Sequence, residues 1–436
     1  MLPKRQWIRW SVGYLLLCQT QALSVVDRVM YGEWVGKSGD ELTQTLVITQ
    51  IAISFGLFYR GSRHWRSVRK GSCITLSLAL FLICSAAWSV DPGATLRAGI
   101  QYFVFIIAAI GVAENLEGDD FMDLLALVCF LSAIASLVLL IVWPATAIGG
   151  YGDFRGAFPQ KNPLGEAMSM GALACLHGLR ASKRGSFVRI VWFVVITFVV
   201  VKSGSATSLL AILMFLGLGI AMQKFEMKGL ITVLPVALVA IFGQGPLLEI
   251  LGKDPTLTGR TEIWTLVMPD IFQRPLLGWG YAAFWTTNNP TAWKISDSVH
   301  WWVPQAHNGV LEILLSVGLV GAVFYIVLIV RTFSLSVQCM QTNERAMGIT
   351  SFVSCTGVLL VGVSENVLLY TGAITSVFFI SGFYCERALS MARQRRFATP
   401  SYGLANIHEG GGTHELASQK GGNVFSKRRR LIRPTE

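Results

Sequence analysis

Residues 121–143 read FMDLLALVCFLSAIASLVLLIVW, and no charged residue occurs from Leu124 to Gly152. A helix rises about 1.5 Å per residue, so a run of this length crosses a hydrocarbon layer about 30 Å thick. Inside lipid every backbone N–H and C=O needs an internal partner, which makes the run a helix rather than an open strand. Comparable runs flank it on both sides: 10–26, 42–59, 71–90, 96–113, 162–180, 185–202, 204–223, 229–246, 306–330, 346–364 and 366–385. The fold class this predicts is all-α, a polytopic integral membrane protein of about twelve transmembrane helices.

Composition agrees. The chain is 53% hydrophobic and only 14% charged, whereas soluble domains carry about 25% charged residues. A soluble enzyme is excluded, because so few charges cannot solvate a water-facing surface. The net charge of +11 does not point to nucleic acid, because the cations are segregated along the chain. With the N-terminus inside and the spans alternating, 26 of the 36 Lys and Arg fall in inner segments. This is the positive-inside bias of a multi-pass protein of the bacterial inner membrane with both termini cytoplasmic. The segment Glu114 to Asp120 is an acidic exception. Lys4, Arg5 and Arg9 precede the first span, which reads as an uncleaved helix because no small-x-small cleavage site follows. The eight cysteines form no CxxC pair and lie mostly in apolar runs, as small buried hydrophobes do.

Two domains are expected. Residues 1–385 form the transmembrane domain, with a long periplasmic loop at about 247–305 between the ninth and tenth helices. Residues 386–436, which include Lys427-Arg428-Arg429-Arg430, form a disordered basic cytoplasmic tail. There is no evident internal repeat of the kind that builds many transporters.

Polar groups are scarce here, so their clustering carries information. They gather at the outer boundary. Arg155-Gly156-Ala157-Phe158-Pro159-Gln160-Lys161-Asn162 leads into the sixth helix. Cations beside a helix start suit an anion or serve as interfacial snorkels. Lys202-Ser203-Gly204-Ser205-Ala206-Thr207 is either a phosphate-binding turn or a plain tight turn. Thr258-Gly259-Arg260-Thr261-Glu262-Ile263-Trp264 places Arg260 near a helix start, the unfavourable end for a cation. A ligand or a salt bridge to Glu262 or Asp254 answers that misfit. His307-Asn308 opens the tenth helix, and Glu312 shares a face with Asn308. A histidine there is suited to take a proton from a sugar hydroxyl. Aromatic residues crowd the preceding loop: Trp279, Tyr281, Phe284, Trp285, Trp293, Trp301 and Trp302. Interfacial belting and sugar stacking both account for them.

In this order the motifs resemble the superfamily of O-antigen ligases and Wzy-type polysaccharide polymerases. They are Arg-Gly-x-Phe-x-x-x-Asn at Arg155 to Asn162, the Ser-rich turn, Gly-Arg-Thr-x-x-Trp at Gly259 to Trp264, Leu-Gly-x-Gly at Leu277 to Gly280, and His307-Asn308 before a Gly-rich helix. The similarity covers about residues 70 to 385 and lies closest to ExoQ-like exopolysaccharide polymerases. One departure is Ala206, where many members carry Arg in the Ser-rich turn; Lys202 stands four residues earlier.

The resemblance implies a glycosyltransferase that joins undecaprenyl-pyrophosphate-linked oligosaccharide repeat units at the periplasmic face, without metal or cofactor. His307, Arg155 and Arg260 are the implied catalytic residues. Lys161, Asn162, Lys202, Ser205, Asn308 and Glu312 are the implied substrate-binding and supporting residues. Membrane lipid is an expected partner, as is a chain-length regulator or export complex; nucleic acid is not. Two alternatives stand beside the polymerase. One is a ligase moving finished polymer onto lipid A core or protein. The other is a transporter or flippase of a lipid-linked glycan, which favours charges along a midplane path rather than at one face.

Overall fold

In a computed structural model, residues 2–31, 41–61, 69–150, 152–181, 185–225 and 260–398 are described. Contacts divide the chain into a unit Met1–Gln394 and a second unit Arg395–Glu436. The first unit carries everything below; most of the predicted tail lies outside the described residues.

Among the described residues the regular structure is helical, apart from one isolated antiparallel bridge between Ile148 and Phe154. The helices are α1 (Leu2–Gln19), α2 (Ser24–Tyr31), α3 (Glu41–Gly61), α4 (Arg69–Cys84), α5 (Pro92–Asn115), α6 (Gly118–Val142) and the single turn α7 (Pro144–Ala147). There follow α8 (Lys161–Ala181), α9 (Ser186–Ser203), α10 (Ala206–Phe225), α11 (Arg260–Gln273), α12 (Pro290–Ser298), α13 (Gly309–Cys339), α14 (Arg345–Gly362) and α15 (Ala373–Ala398). Six of them, α5, α6, α9, α10, α13 and α14, are long and apolar enough to cross a membrane by length and composition.

The expected runs fall on helices with three shifts, and the ninth run, 229–246, lies outside the described residues. The first run breaks into α1 and α2 at a turn where Gln21 is left-handed (φ 62°). The last helix starts at Ala373 rather than 366, because Val363–Gly372 forms a loop between α14 and α15. The end of the long outer loop is not irregular: α11 and α12 enclose a small core of Ile263, Val267, Ile271, Phe284, Ile295, Val303 and Leu315.

The main core packs α8 against α6, α9 and α10, α5 against α3 and α4, and α14 against α10 and α13. At Gly165 the approach of α8 is so close that a Cβ would lie 2.3 Å from Ser208 Oγ. Small residues of this kind let helices meet where lipid offers no hydrophobic drive between them.

One device explains two of the sequence motifs together. Gly318 interrupts α13 with φ 64° and ψ −164°, which frees backbone groups in the middle of an apolar helix. The Leu-Gly-x-Gly segment supplies their partners: Trp279 N and Gly280 N donate to Leu315 O and Ser316 O, and Leu319 N and Val320 N donate to Pro275 O and Leu276 O. Gly278 is also left-handed (φ 66°), and a Cβ there would sit 2.6 Å from the Ser316 carbonyl carbon. A broken helix is tolerated at membrane depth when neighbouring protein satisfies its backbone in this way.

The acidic segment between α5 and α6 also finds its explanation. Arg5 reaches Asp120 at 3.2 Å, and Arg9 lies 3.7 Å from it. Arg387 donates to Ala113 O and Leu116 O at the C-terminus of α5, the end of a helix that favours a cation. The segment 114–120 therefore meets basic residues from both the first and the last helix at one end of the body.

Candidate active site

At the opposite end, the loop Val363–Gly372 carries Glu365, whose side chain is only 8% exposed. Its Oε1 accepts from Arg260 Nη2 at 2.8 Å and from Asn162 Nδ2 at 2.7 Å. Its Oε2 lies 3.4 Å from His307 Nδ1 and 3.5 Å from Gln305 Nε2. Arg260 Nη1 also donates to Ser364 O. Burial alone pushes the Glu365 carboxyl up, but the hydrogen bond from His307 and the charge of Arg260 outweigh it, so the net shift is below the ordinary value. One carboxylate thus ties together residues 162, 260 and 307, which come from three of the four polar clusters. Glu166, one turn after Asn162 on α8, is close enough to interact electrostatically with both Glu365 and Arg260.

His307 stands just outside α13 in the left-handed region, φ 50°. That conformation is uncommon for a non-glycine residue and is held by its surroundings. Asn308 caps α13, accepting from Val310 N at 3.0 Å and Leu311 N at 3.1 Å, and donates to Val363 O. Such a cap contributes about 1 kcal/mol. Glu312 does not face the cluster. Its Oε2 accepts from Ala306 N at 2.7 Å and from Trp285 Nε1 at 3.0 Å, so it braces the segment that presents His307. Trp264 Nε1 donates to Ala306 O and fixes the same segment from α11. The imidazole Nδ1 is engaged, whereas Nε2 has no hydrogen-bond partner among the described residues.

The other expected residues fall elsewhere on this end. Arg155 Nε donates to Thr146 O, an acceptor shared with Arg28 Nη1. Arg28 is buried on α2 and its Nη2 donates to Gly156 O at 3.0 Å; it shapes the Arg155 loop. Lys161 pairs with Asp153 at 3.1 Å. Lys202 is exposed at the end of α9. Ser205 is buried, and its Oγ donates to Ser208 Oγ at 2.9 Å, so it packs the turn against α8. The turn touches the cluster through Thr207 Oγ1, 3.2 Å from Ser364 Oγ. Arg260 pairs with Glu365 rather than with Glu262 among the described residues; Asp254, Thr258 and Gly259 lie outside them.

Glu365 is what sequence reasoning missed. The signal was a carboxylate flanked by Ser364 and Asn366 between two apolar runs, on the side of the membrane where the other polar clusters collect. Among the described residues no group of three or more His, Cys, Asp or Glu converges as a metal site requires. Next to Asn308, an apolar cavity of about 570 Å³ runs between α13 and α14, from Trp264 and Val363 down past Tyr325 to Ile329.

The motifs anticipate an all-helical membrane body and the histidine and arginine of this cluster, but not its carboxylate. Residues 190–326 match the family model Wzy_C, described as O-Antigen ligase. The match takes in Lys202, Ser205, Arg260, His307, Asn308 and Glu312, and stops short of Glu365. The chain is also similar to the exopolysaccharide production protein ExoQ of Rhizobium meliloti (strain 1021), with 25% identity over 352 residues, 74% of this chain and 78% of that protein. The resemblance read from the motifs is borne out by both.

Proposed function

We propose that the protein is an exopolysaccharide polymerase of the inner membrane, joining undecaprenyl-pyrophosphate-linked repeat units at the periplasmic face. The observation that carries this reading is the junction at Glu365, where Arg260, Asn162 and His307 converge on one buried carboxylate. Glu365 directs the Nδ1 side of His307, which leaves the Nε2 lone pair for an acceptor hydroxyl. As Nε2 takes the proton, the acceptor oxygen bonds to the anomeric carbon of the donor sugar. The bond from that carbon to the pyrophosphate oxygen breaks, and the pyrophosphate leaves on its lipid. Negative charge grows on the leaving group. Guanidiniums preorganised near it stabilise the transition state more than the ground state, the role assigned to Arg260 and Arg155. The apolar cavity beside Asn308 suits an isoprenoid chain.

A strain lacking the protein accumulates single repeat units on the carrier and loses high-molecular-weight polymer. Long polymer still attached to its carrier is the opposite result, and it identifies a ligase. Sidedness is tested apart from chemistry. Reporter fusions after Arg69, Arg184 and Arg396 report cytoplasm, and fusions at Asp254 and Asp297 report periplasm; a cytoplasmic signal at Asp297 overturns the topology.

A further inference from the structure

The aromatic residues of the outer cap divide into two groups. Trp264, Trp279 and Trp285 pack on the small core of α11 and α12, and each indole N–H has an acceptor: Ala306 O, Asp270 O and Glu312 respectively. Trp301 is different. It is 42% exposed, and its indole N–H has no acceptor among the described residues. Its ring centroid lies 6.1 Å from that of His307. Trp302, also exposed, packs on Trp293 with centroids 4.8 Å apart.

Membrane anchoring accounts for an exposed tryptophan but not for its place against the imidazole. An indole carries a negative face, which attracts the weakly positive C–H face of a pyranose, and an N–H that donates to a hydroxyl. We infer that Trp301 is the binding platform for the acceptor sugar: its ring stacks on the pyranose whose hydroxyl approaches His307 Nε2. The occupant is the non-reducing end of a glycan rather than lipid, because the platform continues the cluster of His307 and Glu365. This inference rests on the proposed glycosyl transfer, but it is tested by binding, which proceeds without turnover.

The test uses the full-length protein in nanodiscs. The probe is a set of oligosaccharides of one to three repeats, made by partial acid hydrolysis of the parent strain's exopolysaccharide. Affinity is measured by calorimetry for the wild type, Trp301→Ala, Trp301→Phe and His307→Ala. Trp301→Ala is expected to weaken binding about tenfold, on the order of a stacked aromatic contact. Trp301→Phe recovers most of it, and His307→Ala, though inactive, binds nearly as wild type. Wild-type affinity in Trp301→Ala overturns the platform and leaves the residue as an interfacial anchor. Equal loss in Trp301→Ala and Trp301→Phe also overturns it, since a stacking role survives a change of ring. The polymerase reading stands or falls separately, on the deletion strain.

Discussion

Both ends of the helical body hold a histidine against a carboxylate, and the two arrangements use the same residue types differently. At the end that the proposed topology puts inside, the inner end, His177 is 1% exposed, with Nδ1 2.9 Å from Thr350 Oγ1 and Nε2 2.9 Å from Asp119 Oδ1. Both nitrogens are occupied, and Asp119 is 64% exposed. Neighbouring ion pairs are self-contained in the same way: Arg189 forks onto Asp123, and Arg331 meets Glu386, which also accepts from Gly71 N. At the other end, outer in the same topology, both partners are largely buried, His307 at 15% and Glu365 at 8% exposed. The carboxylate serves several donors, and the histidine keeps one nitrogen without a hydrogen-bond partner among the described residues. A pair that satisfies itself holds helices together; a pair that leaves a directed group over is equipped to meet a ligand.

The sharpest way to break this contrast is to remove each histidine in turn. General acid–base assistance is worth about 10²–10⁴-fold. His307→Ala is therefore expected to abolish detectable polymer while the protein reaches the membrane at normal level. His177→Ala leaves the Thr350 hydroxyl buried without a partner, a cost of about 1–3 kcal/mol. It lowers thermal stability in detergent and leaves activity per molecule near wild type. Polymer yield and quantified membrane protein, measured for both variants, decide the matter. If His177→Ala silences the folded protein, the two ends are not distinct. His300→Ala serves as a control, because His300 is exposed in the turn after α12 and its loss is expected to spare most activity.

How much of this was legible in the sequence depends on range. Local signals sufficed for the helices, because each spanning run carries its own apolar length, and the outer polar clusters stood out against a background of apolar residues. Arg260, Asn162, His307 and Asn308 were readable for that reason. Glu365 and Arg28 were not. Arg28 works through partners more than a hundred residues away and Glu365 through partners 58 to 203 residues away, and nothing in Ser364-Glu365-Asn366 itself announces four donors. Ser205 shows the complementary limit: a small hydroxyl residue in a turn looks the same whether it binds phosphate or lets two helices touch. Glu312 was placed at the right mouth of the right helix, but it braces the loop rather than facing the cluster. The broken helix at Gly318 was visible only as two separate glycine motifs, since their pairing is a tertiary fact.

Charge on the hub carboxylate comes next in size. Glu365→Gln keeps shape but leaves the Arg260 guanidinium without its anion. A charge-assisted hydrogen bond contributes about 1.5–3 kcal/mol, so activity is expected to fall about 10- to 100-fold, with Glu365→Asp recovering part of it. The matching inner change, Asp119→Asn, involves an exposed carboxylate and is expected to alter activity less than about threefold, as exposed pairs contribute little. Equal losses in the two variants erase the difference between the ends.

Arginine geometry separates the ends by a smaller margin. Arg260 spends one Nη on Ser364 O and the other on Glu365, and a lysine cannot hold both. Arg260→Lys and Arg155→Lys are each expected to reduce polymerisation about tenfold with normal protein level. Arg189→Lys at the inner end is expected to leave activity within about twofold. Normal polymer from both outer variants removes these arginines from phosphate binding.

The smallest effect is the pH response of the hub, and its sign follows from the direction of the shift. Glu365 is depressed in the folded protein, net of the burial that opposes it, because His307 and Arg260 favour its charged form. The folded state therefore binds that proton more weakly than the unfolded chain does. The stability this contributes is fully present above the unfolded value of about 4.5 and is lost as pH falls through the lower folded value. Between pH 5 and 8 Glu365 stays ionised and adds no slope of its own. Below about pH 4.5 the wild type should lose thermal stability more steeply than Glu365→Gln, which has no proton to take up at this position. Melting curves of the two proteins in detergent, from pH 3 to 8, measure the difference. Parallel acid limbs would show that another carboxylate dominates the acid response, and that the outer hub is no more strongly coupled to folding than the ion pairs at the inner end.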